Sequence, residues 1–336
     1  MLSEKPLRIG IIGCGSHVTK NIIPCLLSSK TIKIAAIYVR DVAKYASAHS
    51  ELADFFTDNL QSILSNDSIK VIYIATPISS HYGYGIMALE AGKHVWCEKP
   101  LTANLEDSQA LVRKAVKENL FLGEIAMYQH HAQFKEIKHI IELKKSTGER
   151  LISARARFSI PELDAGNIRY NKSLGGGALL DVGFYPLSSM VALFGQPRQV
   201  DANGFVCPQR GVDISGDALL HYDSFSAHCT WAIGSTYHNE MELSFSKSTI
   251  QIPRAYSKPA DLPTALEIIG NFGQAEEPIE IAPDDHFANN FAAFAAAIGS
   301  SDIVEFNPFV NDLLNNAAIL TAIGDAIIPG HISSKS

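Results

Sequence analysis

Ile9-Gly10-Ile11-Ile12-Gly13-Cys14-Gly15-Ser16-His17-Val18 is the stretch from which the architecture of this chain of 336 residues can be worked out. An apolar strand enters a glycine turn, and a helical pattern follows. Gly13 permits the tight turn, and Gly15 lets the backbone approach a pyrophosphate at the helix N-terminus. The third small residue of the dinucleotide fingerprint falls at Val18, which is larger. A tight structural turn would explain the glycines alone, but their place after the first strand of a βαβ unit favours a dinucleotide bound by residues 13–18.

Strand-like runs alternate with helical patterns over the first 126 residues. The predicted strands are 8–12, 34–39, 71–75, 94–97 and 121–126, and the predicted helices lie near 17–28, 41–52, 80–92 and 104–118. Alternation at this spacing predicts an α/β domain with a doubly wound parallel sheet. Parallel strands that are covered on both faces should be apolar throughout, as 71–75 is. We therefore predict a dinucleotide-binding domain over 1–126.

The pattern changes beyond residue 126. A predicted helix over 133–145 and a strand over 152–159 precede a glycine-rich turn and a helix from about 178 to 194. Strand-like runs then follow one another without helices between them, at 198–206, 216–222, 225–234, 239–246, 248–252 and 278–282. Consecutive strands predict a mainly antiparallel open sheet, and the helices, with two more at 285–299 and 309–327, make the domain α+β. This second domain is predicted to span 127–336.

Composition and charge argue against several classes of partner. The formal net charge is −7 and uneven, since residues 1–124 carry 13 basic and 12 acidic residues and the remainder 15 and 23. An acidic second half without a basic stripe argues against nucleic acid. The longest apolar runs, such as 291–298, are too short to span a bilayer, so no membrane partner is expected. The 5 cysteines show no paired spacing, which indicates a reducing, cytoplasmic location without disulfides.

The end of the second predicted strand bears on cofactor choice. NAD sites usually place a carboxylate there to accept from the ribose 2′-hydroxyl, but this chain has Val39 followed by Arg40. An arginine can form a bidentate pair with a 2′-phosphate and stack on adenine. In the alternative, Arg40 is a solvated loop residue and Asp41 caps the next helix. The charge favours NADP(H) over NAD(H).

Polar residues also follow the third and fourth predicted strands. Thr76-Pro77 comes after the third, and His81 lies in the first turn of the next helix, where it could face the cofactor. Hydroxyls at such positions are also ordinary N-caps, and a lone histidine is more often structural. Glu98-Lys99-Pro100 comes after the fourth, at the strand ends where open α/β sheets place their ligands. The residues predicted to line the cofactor site are therefore Thr76, Pro77, His81, Glu98 and Lys99.

A glycine-rich stretch in the second domain carries candidate catalytic residues. It reads Asn167-Ile168-Arg169-Tyr170 and then Gly175-Gly176-Gly177-Ala178-Leu179-Leu180-Asp181-Val182-Gly183-Phe184-Tyr185-Pro186. Three glycines allow backbone conformations closed to other residues, and Asp181 and Tyr185, four apart, share a helix face. By itself, an Asp–Tyr surface pair is the simpler explanation. Combined with a lysine at a strand end that lines a cofactor, the same residues become a proton-transfer set.

The combination GIIGCG, TPISSH, AGKHVWCEKPL and GGGALLDVGFYP resembles the Gfo/Idh/MocA family of oxidoreductases over nearly the whole chain. The resemblance implies a Rossmann domain followed by an α+β domain whose open sheet often mediates oligomers, so a homodimer or homotetramer is expected. It also implies that Lys99 is the catalytic lysine, that Asp181 is its helix partner, and that Tyr185 occupies the position held by His or Tyr. A tyrosine there is similar to the dihydrodiol, xylose and nucleotide-sugar ketoreductase branches.

Tyr128-Gln129-His130-His131-Ala132-Gln133 matches the segment that opens the second domain in the family, often YRFHP, with Gln129 and Ala132 departing from its Arg and Pro. The adjacent histidines resemble metal ligands, but no third ligand is spaced with them, so no metal is expected. With NIRYNKSLGGGALLDVGFYP and HFANNFAAFAAAI, this segment is most similar to nucleotide-sugar C-3 ketoreductases of deoxysugar pathways. The expected sugar or phosphate contacts are His131, Asn167, Arg169 and Tyr170.

The leading hypothesis is reduction of a keto-sugar, nucleotide-linked in its narrower form, by hydride from NADPH. Tyr185 would protonate the oxygen as the alkoxide develops, and the Lys99 ammonium would keep that proton available or hold the oxygen. Asp181 would orient Lys99 or a substrate hydroxyl. The alternatives are an oxidising dehydrogenase of a free sugar or trans-dihydrodiol, a non-enzymatic NADP(H)-binding sensor, and a glycosidase that works through bound NAD.

Overall fold

The computed structural model describes residues 5–300 and 303–327. These residues form two compact units. The first contains 5–126, 287–300 and 303–314, and the second contains 127–286 and 315–327. The chain thus leaves the first unit after residue 126 and returns to it at 287, a return that the sequence pattern does not predict.

The first unit contains six strands, which are β1 (Leu7–Ile12), β2 (Ile32–Tyr38), β3 (Phe56–Thr57), β4 (Val71–Ile74), β5 (His94–Glu98) and β6 (Leu122–Ile125). They pair in parallel in the order β3-β2-β1-β4-β5-β6. The strand order reverses at β1, so the predicted doubly wound sheet is confirmed. β3 is too short to show a periodic pattern, and the sequence prediction misses it.

Five helices connect these strands, namely α1 (Ile23–Ser28), α2 (Val42–Ala48), α3 (Leu60–Leu64), α4 (His81–Glu90) and α5 (Leu105–Glu118). One π-helical turn, Val18–Ile22, precedes α1. Every residue of β4 is buried, and Ile72 and Ile74 belong to one core with Leu89 of α4 and Leu111 of α5. A strand covered on both faces needs apolar side chains at every position, which explains its continuous apolar run.

The second unit contains eight strands, which are β7 (Leu151–Ile160), β8 (Gln199–Cys207), β9 (Val212–His221), β10 (Ser226–Ile233), β11 (His238–Phe245), β12 (Ser248–Pro253), β13 (Thr264–Gly270) and β14 (Ile279–Ile281). They form a sheet in the order β14-β13-β12-β11-β7-β10-β9-β8. β7 and β10 pair in parallel and the other neighbours are antiparallel, so the predicted mainly antiparallel sheet is confirmed. β13 is a further strand that the sequence prediction misses.

One face of this sheet is covered by helices. The helices are α6 (Ala132–Ser146) and α7 (Phe184–Phe194), and α7 packs on β7 and β10. A Cβ at Gly183, just before α7, would lie 3.0 Å from the Trp231 ring of β10, so the glycine lets the helical segment approach the sheet closely. Along β10 the buried residues alternate with more exposed ones, as expected for a sheet with one covered face.

Two helices close the described chain, α8 (His286–Ser300) and α9 (Ile303–Ile327). Phe291 and Phe294 of α8 lie 5.4 and 5.8 Å from the ring of Trp96 in β5, and Phe294 lies 5.0 Å from Phe121. All four rings are fully buried. These contacts place 287–300 in the first unit, so the expected second domain over 127–336 is interrupted. The apolar face of α8 is visible in the sequence, but the sheet that it covers is not.

Among the described residues, one helical stretch, Lys172–Phe194, is long and apolar enough by length and composition to cross a membrane. In its most apolar window, 72% is buried inside the protein, and core helices of this composition pass the same test. The stretch therefore carries little weight as a membrane signal.

Candidate active site

The glycine turn after β1 has two parts with different structural demands. Gly13 has a φ of +95°, donates its N–H to Tyr38 O at 3.0 Å, and would place a Cβ 2.5 Å from Ala75 O. The fold therefore requires glycine at this position. Gly15 has no such φ, and a Cβ there would meet no atom within 4 Å. Open space beside a helical turn is what an approaching pyrophosphate needs.

Glu98, at the end of β5, forms a hydrogen-bonded group with His17 of the segment after β1 and Tyr73 of β4. His17 Nε2 lies 3.3 Å from Glu98 Oε1, and the Tyr73 hydroxyl donates to the same oxygen. Burial raises the pKa of Glu98, but the nearby His17 and Tyr73, with the charge of Lys99, outweigh it and hold the pKa below its usual range. Sequence reasoning predicted His17 and Glu98 separately and missed Tyr73, which lies in a run that reads only as buried strand.

His81 ties two loops of the candidate cofactor site together. The ring is buried, with Nε2 2.9 Å from Thr76 O and Nδ1 3.0 Å from Pro100 O. Burial, the largest cause, lowers the pKa of His81. Both ring nitrogens face backbone carbonyls, so His81 supports the loops after β4 and β5 and has no ring nitrogen left to hydrogen-bond to a cofactor.

Lys99 lies one residue beyond β5 and is half-buried. The Lys99–Pro100 peptide is cis, and the next residue, Leu101, donates its N–H to Glu124 Oε1 at 2.6 Å. The segment is therefore fixed on both sides, by a strand before the lysine and by a buried hydrogen bond after it. An amine at the carboxyl edge of a doubly wound sheet lies where such folds bind ligands.

Arg40 follows β2 and is exposed. Asp41 caps α2 by accepting from Lys44 N at 2.9 Å, as the simpler interpretation of the sequence expected. Within the described parts of the chain, Arg40 makes no ion pair with a carboxylate. A guanidinium without an acidic partner at this strand end suits an anionic ligand such as a 2′-phosphate.

Asp181 in the second unit has a partner that sequence reasoning did not assign to it. Its carboxylate accepts from Arg169 Nε and, at 3.3 Å, from Arg169 Nη2. The Asp181 charge is the largest cause that raises the pKa of Arg169, and the Tyr185 phenol contributes further. Asp181, Arg169 and Tyr185, three residues predicted for the site, thus lie together in this unit. No periodic pattern relates positions on either side of a glycine turn, which is why the ion pair was missed.

Tyr185 is held in a cluster of rings and is only 8% exposed. Its ring centroid lies 4.9 Å from that of Phe158, 5.7 Å from Tyr256 and 6.1 Å from Tyr128. Its Oη lies 4.0 Å from Met127 Sδ, which is at most a weak acceptor. The packing fixes the ring through its edges and faces, a suitable setting for a positioned proton donor.

Asp213 of β9 anchors the helical segment that leads into α7. Its Oδ2 accepts from Leu179 N at 2.7 Å, and a Cβ on Gly177, whose φ is +131°, would lie 2.4 Å from Asp213 Oδ1. Burial raises the pKa of Asp213 to about 6. Sequence reasoning missed this residue, although a carboxylate inside an apolar strand was an available signal.

The other predicted substrate residues make local contacts. Asn167 Oδ1 accepts from Arg169 N at 3.1 Å, and Tyr170 Oη accepts from Leu163 N at 3.3 Å. His131 is fully buried and caps α6 through Nδ1, which accepts from Gln133 N at 3.0 Å. Burial, followed by the charge of a nearby lysine, lowers the pKa of His131 to about 4. Among the described residues, no group of three or more His, Cys, Asp or Glu is placed to hold a metal ion.

A doubly wound sheet with a glycine turn, followed by an α+β domain, is an architecture typical of two-domain oxidoreductases that use a nicotinamide dinucleotide. Residues 7–126 match the oxidoreductase family with an NAD-binding Rossmann fold, and residues 134–251 match the GFO/IDH/MocA C-terminal domain. The chain belongs to the Gfo/Idh/MocA family.

Several known proteins are similar to this chain over most of its length. The chain is 31% identical to dTDP-3,4-didehydro-2,6-dideoxy-alpha-D-glucose 3-reductase of Saccharopolyspora spinosa, over 96% of this chain and 98% of that protein. It is 32% identical to the enzyme of the same name from Streptomyces violaceoruber, over 88% and 86%. Among solved structures, a 3-ketoreductase from Actinomadura kijaniata in complex with NADP and TDP-benzene is similar, with a TM-score of 0.89, 27% identity, and coverage of 96% of this chain and 98% of that one.

Proposed function

We propose that this protein reduces the 3-keto group of a nucleotide-linked deoxysugar with hydride from NADPH. The observation that carries the proposal is the set Lys99, Asp181 and Tyr185, in a chain that is similar to 3-reductases over 96% of its length. Ketone reduction needs a hydride, a proton and a fixed carbonyl. The cofactor supplies the first, and side chains must supply the other two.

The cofactor half of the proposal rests on Gly13, Gly15 and Arg40. Gly13 shapes the turn, Gly15 leaves room for the pyrophosphate beside it, and Arg40 has no carboxylate partner among the described residues. A bidentate pair between Arg40 and a 2′-phosphate selects NADP(H) over NAD(H). The residues present therefore fit the cofactor, with the remaining members of 13–18, Thr76, Pro77 and Glu98 lining its site.

NADPH, when bound, supplies the hydride. Tyr185 donates its Oη proton to the carbonyl oxygen as negative charge develops there, so that the C=O bond becomes CH–OH. The Lys99 ammonium stabilises the developing charge and favours release of the phenol proton. Tyr185 then recovers a proton from solvent.

The Arg169–Asp181 ion pair refines the role expected of Asp181. An arginine held by a carboxylate on one side keeps further N–H donors in a fixed plane. The Arg169 side chain is 38% exposed, so these donors are accessible to a substrate oxygen. Asp181 accordingly positions Arg169, and Arg169, with Asn167 and Tyr170 beside it in the chain, contacts the substrate.

Turnover with defined substrates tests this function. NADPH oxidation should be rapid with a nucleotide-linked 3-keto-deoxysugar and much slower with the free keto-sugar. Faster turnover in the oxidising direction on a free sugar or a trans-dihydrodiol would contradict the proposal and support a dehydrogenase. NADPH binding without turnover on any of these compounds would support a sensor.

The proposal includes a homo-oligomer formed through the exposed face of the large sheet, in a cytoplasmic setting suited to the 5 free cysteines. On this face Arg155 and Arg157 of β7 lie opposite Glu242 and Glu240 of β11, beside a depression of about 640 Å³. Alternating charges on an exposed sheet face can pair with a second copy turned by two-fold symmetry. Light scattering should give a dimer or tetramer for the wild type and a smaller species for Glu240→Arg; a monomeric wild type would contradict the assembly.

A further inference from the structure

Tyr237 and Arg254 form a pair of donors at one end of the second unit's sheet. Tyr237 immediately precedes β11, and Arg254 immediately follows β12. The Arg254 guanidinium lies 5.1 Å from the centroid of the Tyr237 ring, and its Nη1 donates to Tyr237 Oη at 3.2 Å. Tyr237 is 42% exposed and Arg254 is exposed, so both can reach a ligand.

The hydrogen bonds of this pair leave donors without acceptors. Tyr237 Oη accepts from Arg254 Nη1 and from Asn239 Nδ2, the latter at 3.0 Å, so both of its lone pairs are used. Within residues 5–300 and 303–327, the Tyr237 hydroxyl proton has no acceptor and Arg254 has no carboxylate partner. A free O–H beside a guanidinium with unused N–H groups is complementary to an anion with several oxygens.

The backbone around Arg254 is built to present this side chain. Arg254 has a φ of +52°, a conformation that residues other than glycine, asparagine and aspartate adopt rarely. Asn239, which is 4% exposed, fixes the two residues after Arg254. Its backbone carbonyl accepts from Ala255 N at 3.1 Å, and its side-chain Oδ1 accepts from Tyr256 N at 2.8 Å. One buried side chain therefore holds both the Tyr237 hydroxyl and the turn that carries Arg254.

The donor pair lies close to the proposed proton donor. The centroid of the Phe158 ring lies 4.9 Å from that of Tyr185 and 6.2 Å from that of Tyr237. The ring of the residue expected to protonate the substrate and the ring of the anion-complementary pair therefore both pack against Phe158. In a nucleotide-linked sugar the diphosphate is attached at C1, two bonds along the sugar ring from C3, so the reacting carbonyl and the phosphates are near neighbours.

We propose that Tyr237 and Arg254 form the subsite for the diphosphate of the nucleotide-linked substrate. Arg254 binds the phosphate oxygens through its free N–H groups, and the Tyr237 hydroxyl donates to the same group. The inference rests on the proposed function, because it takes the activated sugar as the substrate. It adds the reason for preferring that substrate over a free sugar, which has no anionic phosphate for these donors to bind.

Direct binding to the NADPH-loaded protein tests the subsite without turnover. Arg254→Asn removes the charge and keeps a residue that tolerates a positive φ. Arg150→Ala is the control, because it removes an exposed arginine that immediately precedes β7, at the opposite end of that strand from Tyr237. Calorimetric titration should show TDP and UDP binding about tenfold or more weaker in Arg254→Asn, because a charge-assisted hydrogen bond contributes about this factor. Thymidine affinity should not change, and Arg150→Ala should match the wild type.

Tyr237→Phe provides a second variant that keeps the ring and its packing. TDP binding should weaken by about threefold to tenfold, and KM for the nucleotide-linked ketone should rise with little change in kcat. Equal TDP affinity in wild type and Arg254→Asn would overturn the subsite even in an active enzyme. Loss of affinity for TDP but not for UDP would also overturn it, since the arginine would then read the base. If the wild type binds TDP more tightly than Arg254→Asn does but reduces no ketone, the subsite is supported and the proposed function is contradicted.

Discussion

Gly13 and Gly15 separate what the fold needs from what the cofactor needs. A Cβ at Gly13 would lie 2.5 Å from Ala75 O, a backbone atom at the end of the neighbouring strand, and the residue has a φ of +95°. The left-handed backbone costs an alanine about 1–2 kcal/mol, and the contact costs about 1–3 kcal/mol more. We therefore expect Gly13→Ala to lower the free energy of unfolding by about 2–5 kcal/mol.

Gly15→Ala should behave in the opposite way. No atom lies within 4 Å of the added Cβ and φ is not positive, so the free energy of unfolding should stay within about 0.5 kcal/mol of wild type. The new methyl group would instead lie where the pyrophosphate has to approach the backbone. NADPH affinity should fall by about tenfold or more, which is about 1.4 kcal/mol.

Gly92→Ala is the control that separates backbone cost from contact cost. Gly92 has a φ of +71°, yet a Cβ there meets nothing within 4 Å, so this variant should lose only the backbone part, about 1–2 kcal/mol. Urea unfolding followed by circular dichroism gives the three stabilities, and fluorescence titration gives the NADPH affinities. The reasoning is refuted if Gly13→Ala is no less stable than Gly92→Ala, or if Gly15→Ala binds NADPH as tightly as wild type.

Three further outcomes are expected. Burial, with the charge of Lys70, lowers the pKa of His94 from 6.5 to about 4. Between these pH values the unfolded chain binds more protons than the folded protein, so the free energy of unfolding falls as the pH drops from about 6.5 towards 4. His94→Asn keeps an acceptor for Phe121 N, and between pH 7.5 and pH 5 its free energy of unfolding, measured with urea, should fall by about 1–2 kcal/mol less than that of wild type. Arg40→Ala should weaken NADPH binding about tenfold and leave NADH binding nearly unchanged, whereas equal losses would remove the 2′-phosphate argument. Asp213→Ala leaves the buried Leu179 N–H without its acceptor and should cost about 1–3 kcal/mol by thermal unfolding, while Asp213→Asn, which keeps an acceptor, should cost clearly less.

The sequence predicts most of the parallel sheet of the first unit because each signal there is local. The apolar run Val71–Ile74 is continuous because the strand is buried on both faces, and the glycine turn follows β1 directly. The missed elements have weaker signals. Phe56–Thr57 is too short for any periodicity, and Thr264–Gly270 mixes threonine and glutamate with its apolar residues.

The parts of the candidate site that escaped prediction depend on tertiary contacts. Asp181 was paired with Tyr185 by helical spacing, but its carboxylate meets Arg169 across a glycine turn whose path no pattern specifies. The spacing of Phe291 and Phe294 predicts a buried helix face, but it does not show that this face packs against Trp96. The spacing of residues along the chain shows which face of a helix or strand is buried. Which two faces contact each other is decided by the packing of the folded protein.

Single-turnover reduction by Tyr185→Phe tests the proposed chemistry most directly. The substitution removes one hydroxyl from a ring that Phe158, Tyr256 and Tyr128 hold by packing, so folding and NADPH affinity should stay close to wild type. Reduction of a nucleotide-linked 3-keto-sugar by the NADPH-loaded variant should be slower by about 10²–10⁴-fold, the usual contribution of a positioned general acid. A variant that binds NADPH and reduces the ketone at the wild-type rate would contradict the assignment of Tyr185 as the proton donor.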